Sequence, residues 1–346
     1  MQQNLVLGIH GEAKAGKTTF ASKSPQPILF FDAENASKFL FTENPGDKVY
    51  WNPLTQPMPI RNKDNLWKAV VVIVESYEHI EKALEELRSQ PHPFRTIVFD
   101  SISEIQDKLS KSILRGKKHS QLQLQDWGAM ASRMGELLRA FRDLPVHTDS
   151  PLVAVVFLAM SKTPTTREKD GSITYGKTFP VIRGSAKDLI VYMTDLMGHL
   201  YYEVSESWDD SVSAMVTKED RGIIVGKHES FVTANRVVYN DPKNIGKTKT
   251  LPDVLPGNTT ITGLLKIVFP ELREYLELES DDPRTFTPGY GEDYVPGQAS
   301  VSNVVDETTV PKPPAFVDEE PSNEEPSSED SSEETPKTTK ETKKKD

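Results

Sequence analysis

The sequence predicts an α/β fold built on a mostly parallel central sheet, and three observations carry that prediction. Strand-like and helix-like segments alternate from residue 1 to about 270, the pattern of a parallel sheet covered by crossover helices. A glycine-rich loop, Gly11-Glu12-Ala13-Lys14-Ala15-Gly16-Lys17-Thr18, lies between an apolar run and a helix start. A second apolar strand, Ile97-Val98-Phe99, closes on Asp100.

The first element is Leu5–Ile9, an apolar run that reads as a strand, and Thr18-Thr19-Phe20-Ala21-Ser22 reads as the helix that follows. That context is what the G-x-x-x-x-G-K-[ST] pattern of a phosphate-binding loop requires. The glycines let the backbone aim N–H groups at phosphate oxygens, and the helix N-terminus adds its positive dipole end. Lys17 is placed to reach the β- and γ-phosphates, and Thr18 to hold Mg²⁺. Residues 11–19 are therefore the expected binding segment for a nucleoside triphosphate, ATP with Mg²⁺.

Pro27–Asp32 is a buried strand, and residues 43–75, with prolines at 45, 53, 57 and 59, read as an insertion. Ser76 is expected to cap a helix over Tyr77–Leu87. Arg95–Asp100 is the acid-terminated strand, Met130–Phe141 an amphipathic helix, and Pro151–Met160 another apolar strand. Strand-rich segments at 195–204, 212–217 and 222–226 precede a last helix near Ile261–Val268.

The 346 residues carry a formal net charge of −11, yet 17 acidic and 7 basic residues fall from Ser280 onward, which leaves residues 1–279 at −1. Residues 1–279 are read as one ATPase domain, and residues 280–346, rich in Pro, Ser, Thr and Glu, as a disordered acidic tail. The absence of cysteine excludes disulfides, thiolate metal sites and cysteine nucleophiles. No run approaches the ~18 apolar residues of a membrane span. The first strand begins at once, so no secretory leader, no membrane and a cytoplasmic location are expected.

Asp100 fits the acid that supports the Mg²⁺ shell opposite Thr18. In Phe31-Asp32-Ala33-Glu34-Asn35-Ala36, either Glu34 or Asp32 could polarise an attacking water, and spacing alone does not choose between them.

Phe-Asp-Ala-Glu-Asn-Ala-Ser at 31–37 resembles the segment of RecA-type recombinases in which a strand ends in an Asp-Ala-Glu-His-Ala-like run. Thr96–Ser101 is similar to the family's Val-Ile-Val-Asp-Ser, and Asp126–Met134 to the helix start after its first DNA-binding loop. The resemblance runs in order over roughly residues 3–205, and the opening also resembles phage-encoded relatives that bind and anneal single-stranded DNA. It implies a RecA-like P-loop core in which Glu34 is catalytic together with Lys17. It further implies a homo-oligomer whose partners are single-stranded DNA and a single-strand DNA-binding protein, working in the host cytoplasm. Two departures stand out. The family's γ-phosphate-sensing glutamine falls here near Met160, beside Ser161 and Lys162, and no segment precedes the first strand to support filament formation.

The resemblance places a first DNA loop over Lys108, Lys111, Arg115, Lys117, Lys118 and His119. It places a second over residues 161–184, with Lys162, Arg167, Lys169, Lys177 and Arg183, where Tyr175 and Phe179 offer base stacking. Arg221, Lys227 and Arg236 could each present a cation to a neighbouring subunit's γ-phosphate, with Lys227 preferred because it follows Ile223-Ile224-Val225-Gly226. The expected function is a DNA-dependent ATPase that promotes annealing or strand exchange. A helicase or helicase-loader motor and a small-molecule P-loop kinase are the alternatives.

Overall fold

A computed structural model describes residues 4–147, 150–168, 172–209, 214–241, 243–244, 246–279 and 281–287. Chain order begins β1 (Leu5–Gly11), α1 (Lys17–Ser22), β2 (Ile28–Asp32), β3 (Lys48–Tyr50), β4 (Ala69–Ile73), α2 (Glu78–Ser89) and β5 (Thr96–Asp100). It continues with α3 (Ile102–Leu114), α4 (Leu124–Arg142), α5 (Leu144–His147), β6 (Ala154–Lys162), β7 (Thr165–Arg167), β8 (Ile173–Tyr175) and β9 (Phe179–Pro180). The rest is α6 (Ala186–Met193), β10 (Leu196–Asp209), β11 (Ala214–Ile224), β12 (Ala234–Asn235), β13 (Val238–Asn240), β14 (Thr248–Thr250), β15 (Val254–Pro256), α7 (Ile261–Val268) and α8 (Arg273–Leu276).

The main sheet runs β15-β11-β10-β1-β6-β5-β2-β4-β3. From β3 to β10 every neighbouring pair is parallel, and β11 and β15 close the other edge antiparallel. Such a sheet is buried on both faces, and side-chain alternation assigns each residue to one of two cores. Leu29 and Phe31 of β2 join Ile97, Phe99, Val155 and Phe157 under α2, α3, α4 and α6. Ile28 and Phe30 join Val98, Val156 and Leu158 under α1 and α7. Phe99 anchors the first core, with Phe31 stacked at 4.9 Å and Phe141 edge-on at 4.8 Å.

Three expectations need correction. Within residues 43–75, read as an insertion, β3 and β4 pair into the central sheet, and Trp51, Met58 and Trp67 are buried beneath them. The prolines fall in the connections and obscured the strands. Secondly, the expected first DNA loop begins within α3, which carries Lys108 and Lys111 because Ile102, Ile105, Leu109 and Ile113 recur at helical spacing and bury one face, while Arg115, Lys117, Lys118 and His119 follow the helix end. Thirdly, residues 281–287, read as the start of a disordered tail, are packed on the domain. The Arg61 backbone N–H donates to Thr287 Oγ1 at 3.1 Å, and both Thr285 and Thr287 are buried. The remainder of the expected tail lies outside the described residues. Among the described residues, no helix is long and apolar enough to cross a membrane.

His92 links stability to pH. It is 1% exposed, its Nδ1 accepts from the Phe94 N–H at 3.2 Å, and Nε2 faces Ser150 Oγ at 3.0 Å. Burial alone brings its pKa down to about 4. Between about pH 6.5 and pH 4 the unfolded chain therefore binds a proton that the folded chain excludes, and stability falls as pH falls through that window. Urea unfolding should show a loss of about 2 kcal/mol from this group between pH 7 and pH 5. His92→Gln should flatten that slope; an unaltered slope would contradict the assignment.

Candidate functional site

Parallel pairing brings several strand ends to one edge. Gly11 of β1 is in register with Met160 of β6, and Asp32 of β2 with Asp100 of β5. Gly11 is required by close approach, since a Cβ there would stand 2.6 Å from the Leu200 carbonyl oxygen. The loop then turns through left-handed backbone at Lys14 (φ 66°) and Gly16 (φ 99°) before α1 begins at Lys17. Gly16 meets that demand without strain. Glu12, Ala13, Lys14 and Thr19 are exposed, Ala15, Gly16 and Thr18 half-buried, and Lys17 buried.

Lys17 Nζ donates to the carbonyls of Gly11 at 3.0 Å and Glu12 at 2.7 Å, which holds the ammonium inside the loop. Burial lowers its pKa, partly offset by Glu34 and Asp100. Thr18 Oγ1 donates to Asp100 Oδ2 at 2.6 Å, so the loop hydroxyl and the strand-end acid form one unit. Burial pushes the Asp100 carboxyl up to about 6; Thr18 opposes the rise, while Glu34 and Asp32 add to it.

The geometry separates Asp32 from Glu34. Asp32 is 1% exposed and accepts three backbone N–H groups, from Glu34 at 3.2 Å, Ala36 at 3.1 Å and Ser37 at 2.8 Å. Its oxygens are spent on shaping the turn after β2. Lys48 Nζ pins the same loop by donating to the carbonyls of Ser37 and Leu40 at 2.8 and 2.9 Å. Glu34 is presented outward from that turn, and its Oε1 accepts from Ser101 Oγ, next to Asp100. Sequence spacing carried no sign of Ser101 or Lys48 as supports.

A nucleoside triphosphate with Mg²⁺ fits this donor set. The loop N–H groups, the α1 terminus and Lys17 match phosphate oxygens, and Thr18 with Asp100 matches a hard cation. Burial first, and the Glu34 and Asp32 charges after it, raise the Asp100 pKa, and a divalent cation beside it would oppose that rise. Among the described residues no group of three or more His, Asp or Glu side chains could hold a metal.

The expected cationic segments divide. Arg115 pairs with Glu78 at 2.6 Å, Lys117 and His119 both engage Asp126, and Arg183 pairs with Asp107 at 3.1 Å. These cations are partly neutralised on the α2, α3 and α4 surfaces, an outcome that counting basic residues does not reveal. Asp126 is held far below the usual carboxylate range, first by Lys117. Lys118 is exposed.

The second segment is a β7–β8 hairpin rising from the end of β6, with Lys162, Arg167, Tyr175 and Lys177 exposed; Lys169 lies outside the described residues. Lys177 Nζ donates to the His228 carbonyl at 3.0 Å. At the hairpin root, Ser161 Oγ lies 2.8 Å from His10 Nδ1, and His10 immediately precedes Gly11. Nε2 of the same ring reaches the Val232 carbonyl at 2.8 Å. Burial brings His10 down to about 4, so the ring is neutral and passes one hydrogen bond on each side. Lys227 is exposed and follows β11, whose last residue, Ile224, pairs with His199 of β10, the residue in register with His10 of β1.

No curated protein matches the chain in sequence. Among solved structures, the flagellar accessory protein FlaH from Methanocaldococcus jannaschii aligns over 75% of this chain and 92% of its own, with a TM-score of 0.32 and 11% identity. The AAA domain family matches residues 3–237, from ahead of β1 to just past β12. With more than half of the sequence matched and the phosphate loop, Thr18 and Asp100 assembled at one edge, this chain belongs to the AAA domain family and is a P-loop ATPase.

Proposed function

We propose that this ATPase is DNA-dependent: it hydrolyses ATP with Glu34 as general base, binds single-stranded DNA on the β7–β8 face, and promotes annealing or strand exchange. The observation that carries the reading is the link between β1 and β6. One neutral imidazole, His10, joins the strand that opens the phosphate loop to the strand that carries the cationic hairpin. A change in loop position on nucleotide binding has a direct route to the hairpin root.

ATP is held by the loop N–H groups and Lys17. Thr18 and Asp100 would hold Mg²⁺, which would supply charge neutralisation to the bound triphosphate. Glu34 takes a proton from the attacking water, and Ser101 fixes its carboxylate. Asp32 and Lys48 act through the turn and are positioning residues. Lys118, Lys162, Arg167 and Lys177 supply phosphate contacts, and Tyr175 supplies stacking. Arg115, Lys117 and Arg183 join them only if DNA displaces their carboxylate partners. Lys227 is proposed to act in trans, on the nucleotide of a neighbouring copy.

Lys17→Ala should abolish ATP binding. Glu34→Gln should leave ATP affinity within about threefold and lower turnover by about 10²–10⁴. Fluorescent nucleotide titration paired with phosphate release separates the two effects, and a hydrolysing Glu34→Gln enzyme would remove the general-base role. Asp32→Ala should lower turnover about 100-fold at nearly constant affinity, because it frees three N–H groups and lets Glu34 drift.

Phosphate release with and without single-stranded DNA tests the coupling. At least about tenfold stimulation is expected, weakening steeply with added salt and lost on changing Lys162, Arg167 and Lys177 together to Glu. A rate indifferent to DNA would favour a P-loop motor acting on another partner.

A further inference from the structure

The helix α3 begins next to the nucleotide site, and one of its buried residues is polar. Ile102, Ile105, Leu109 and Ile113 form its apolar face, and Gln106, 2% exposed, lies among them. A buried primary amide needs a partner for its N–H groups and another for its oxygen. Gln106 finds both on a single residue far away in the chain. Its Nε2 donates to the Arg183 carbonyl at 2.9 Å, and the Arg183 N–H donates to its Oε1 at 2.7 Å.

Arg183 follows β9, on the return leg from the β7–β8 hairpin. The two legs of that segment meet at the end of β6. There β9 pairs antiparallel with β6 through Pro180 and Ser161, and the Val181 N–H donates to the Met160 carbonyl at 2.7 Å. The outgoing leg is held by the same helix, since the Met160 N–H donates to Ser103 Oγ at 3.4 Å. Asp107, the next residue along α3, takes the Arg183 guanidinium at 3.1 Å. Ser103 and Gln106 thus tie α3 to both legs of the hairpin root, and Asp107 ties it to the Arg183 side chain.

At its start the helix touches the other site. Ser101, which directly precedes α3, donates from Oγ to Glu34 Oε1. Gln106 lies only about 7 Å further along the axis, a distance over which a hydrogen-bonded helix moves as one body.

We propose that Gln106 is a positioning residue that couples the hairpin root to Glu34. The helix carries a displacement of Arg183 to Ser101, and Ser101 sets where the Glu34 carboxylate stands. This coupling rests on the proposed function, with Glu34 as general base and DNA on the β7–β8 face. A DNA phosphate that draws the Arg183 guanidinium off Asp107 pulls on the same main chain that Gln106 holds. A neutral amide suits the task because it serves the N–H and the C=O of one residue together. A carboxylate serves only the N–H, and an aliphatic side chain serves neither.

Gln106→Met keeps the length of the side chain and removes both hydrogen bonds. In the full-length variant, unstimulated hydrolysis and the KM for ATP should stay at wild-type values. The kcat at saturating single-stranded DNA should fall at least about fivefold, toward the unstimulated rate. Gln106→Glu, which retains the acceptor for the Arg183 N–H, should lie between the two. An amide with a structural role alone would lower Tm in both variants and leave DNA stimulation of the folded protein intact, and that result overturns the proposal.

A second measurement needs no substitution and no DNA, and it decides the matter should the variants not fold. The attacking water engages Glu34 only when a γ-phosphate is present. Amide hydrogen exchange at Arg183 of the wild-type chain should therefore differ at least about fivefold between Mg²⁺ with a non-hydrolysable ATP analogue and Mg²⁺ with ADP. Equal exchange in the two states overturns the coupling. If wild-type hydrolysis is indifferent to DNA, the DNA assignment fails by itself, and exchange at Arg183 still shows whether α3 joins the two sites.

Discussion

Parallel pairing from β3 to β10 gives every one of those strands the same direction, so Gly11, Asp32, Asp100 and Met160 end at one edge. That alignment is what converts residues up to about 150 positions apart into one site. It rests on two apolar layers, one on each face of the sheet, organised by the strict alternation of side chains along each strand. A slip of one residue in β5 would move Phe99 out of its stack with Phe31 and carry Asp100 away from Thr18.

At that edge the electrostatics are balanced between burial and neighbours. Lys17 is drawn down by desolvation and held up by Glu34 and Asp100, while Asp100 is pushed up by the same burial. The two carboxylates after β2 divide their labour through hydrogen bonding. Asp32, saturated by three backbone donors, builds the turn, and Glu34 is carried outward on it. A phosphate-bound cation enters a site already poised for positive charge at Asp100 and negative charge along the loop.

The parallel α/β class, the phosphate loop and the acid at the end of β5 were legible because each is a local pattern with one physical meaning. Other features were not. The β3 and β4 strands are short and separated by a proline-bearing connection, and the apolar run Ala69–Ile73 was absorbed into the reading of 43–75 as an insertion although it pairs along its length with β2. Which of Asp32 and Glu34 the backbone saturates is a three-dimensional fact that spacing does not carry. The charges of Arg115, Lys117 and Arg183 look free in sequence, yet Glu78, Asp126 and Asp107 reach them from other parts of the chain. The His10–Ser161 contact joins residues 151 positions apart and left no motif.

The central claim is that nucleotide at β1 moves the hairpin at the end of β6. The chain has no cysteine, so Tyr175→Cys gives a unique labelling position at an exposed residue of the β7–β8 hairpin, in register with Thr165. A fluorophore placed there should change its anisotropy when Mg²⁺ and a non-hydrolysable ATP analogue are added, and His10→Ala should abolish that change while nucleotide remains bound. An identical signal in the absence and presence of bound nucleotide would contradict the account.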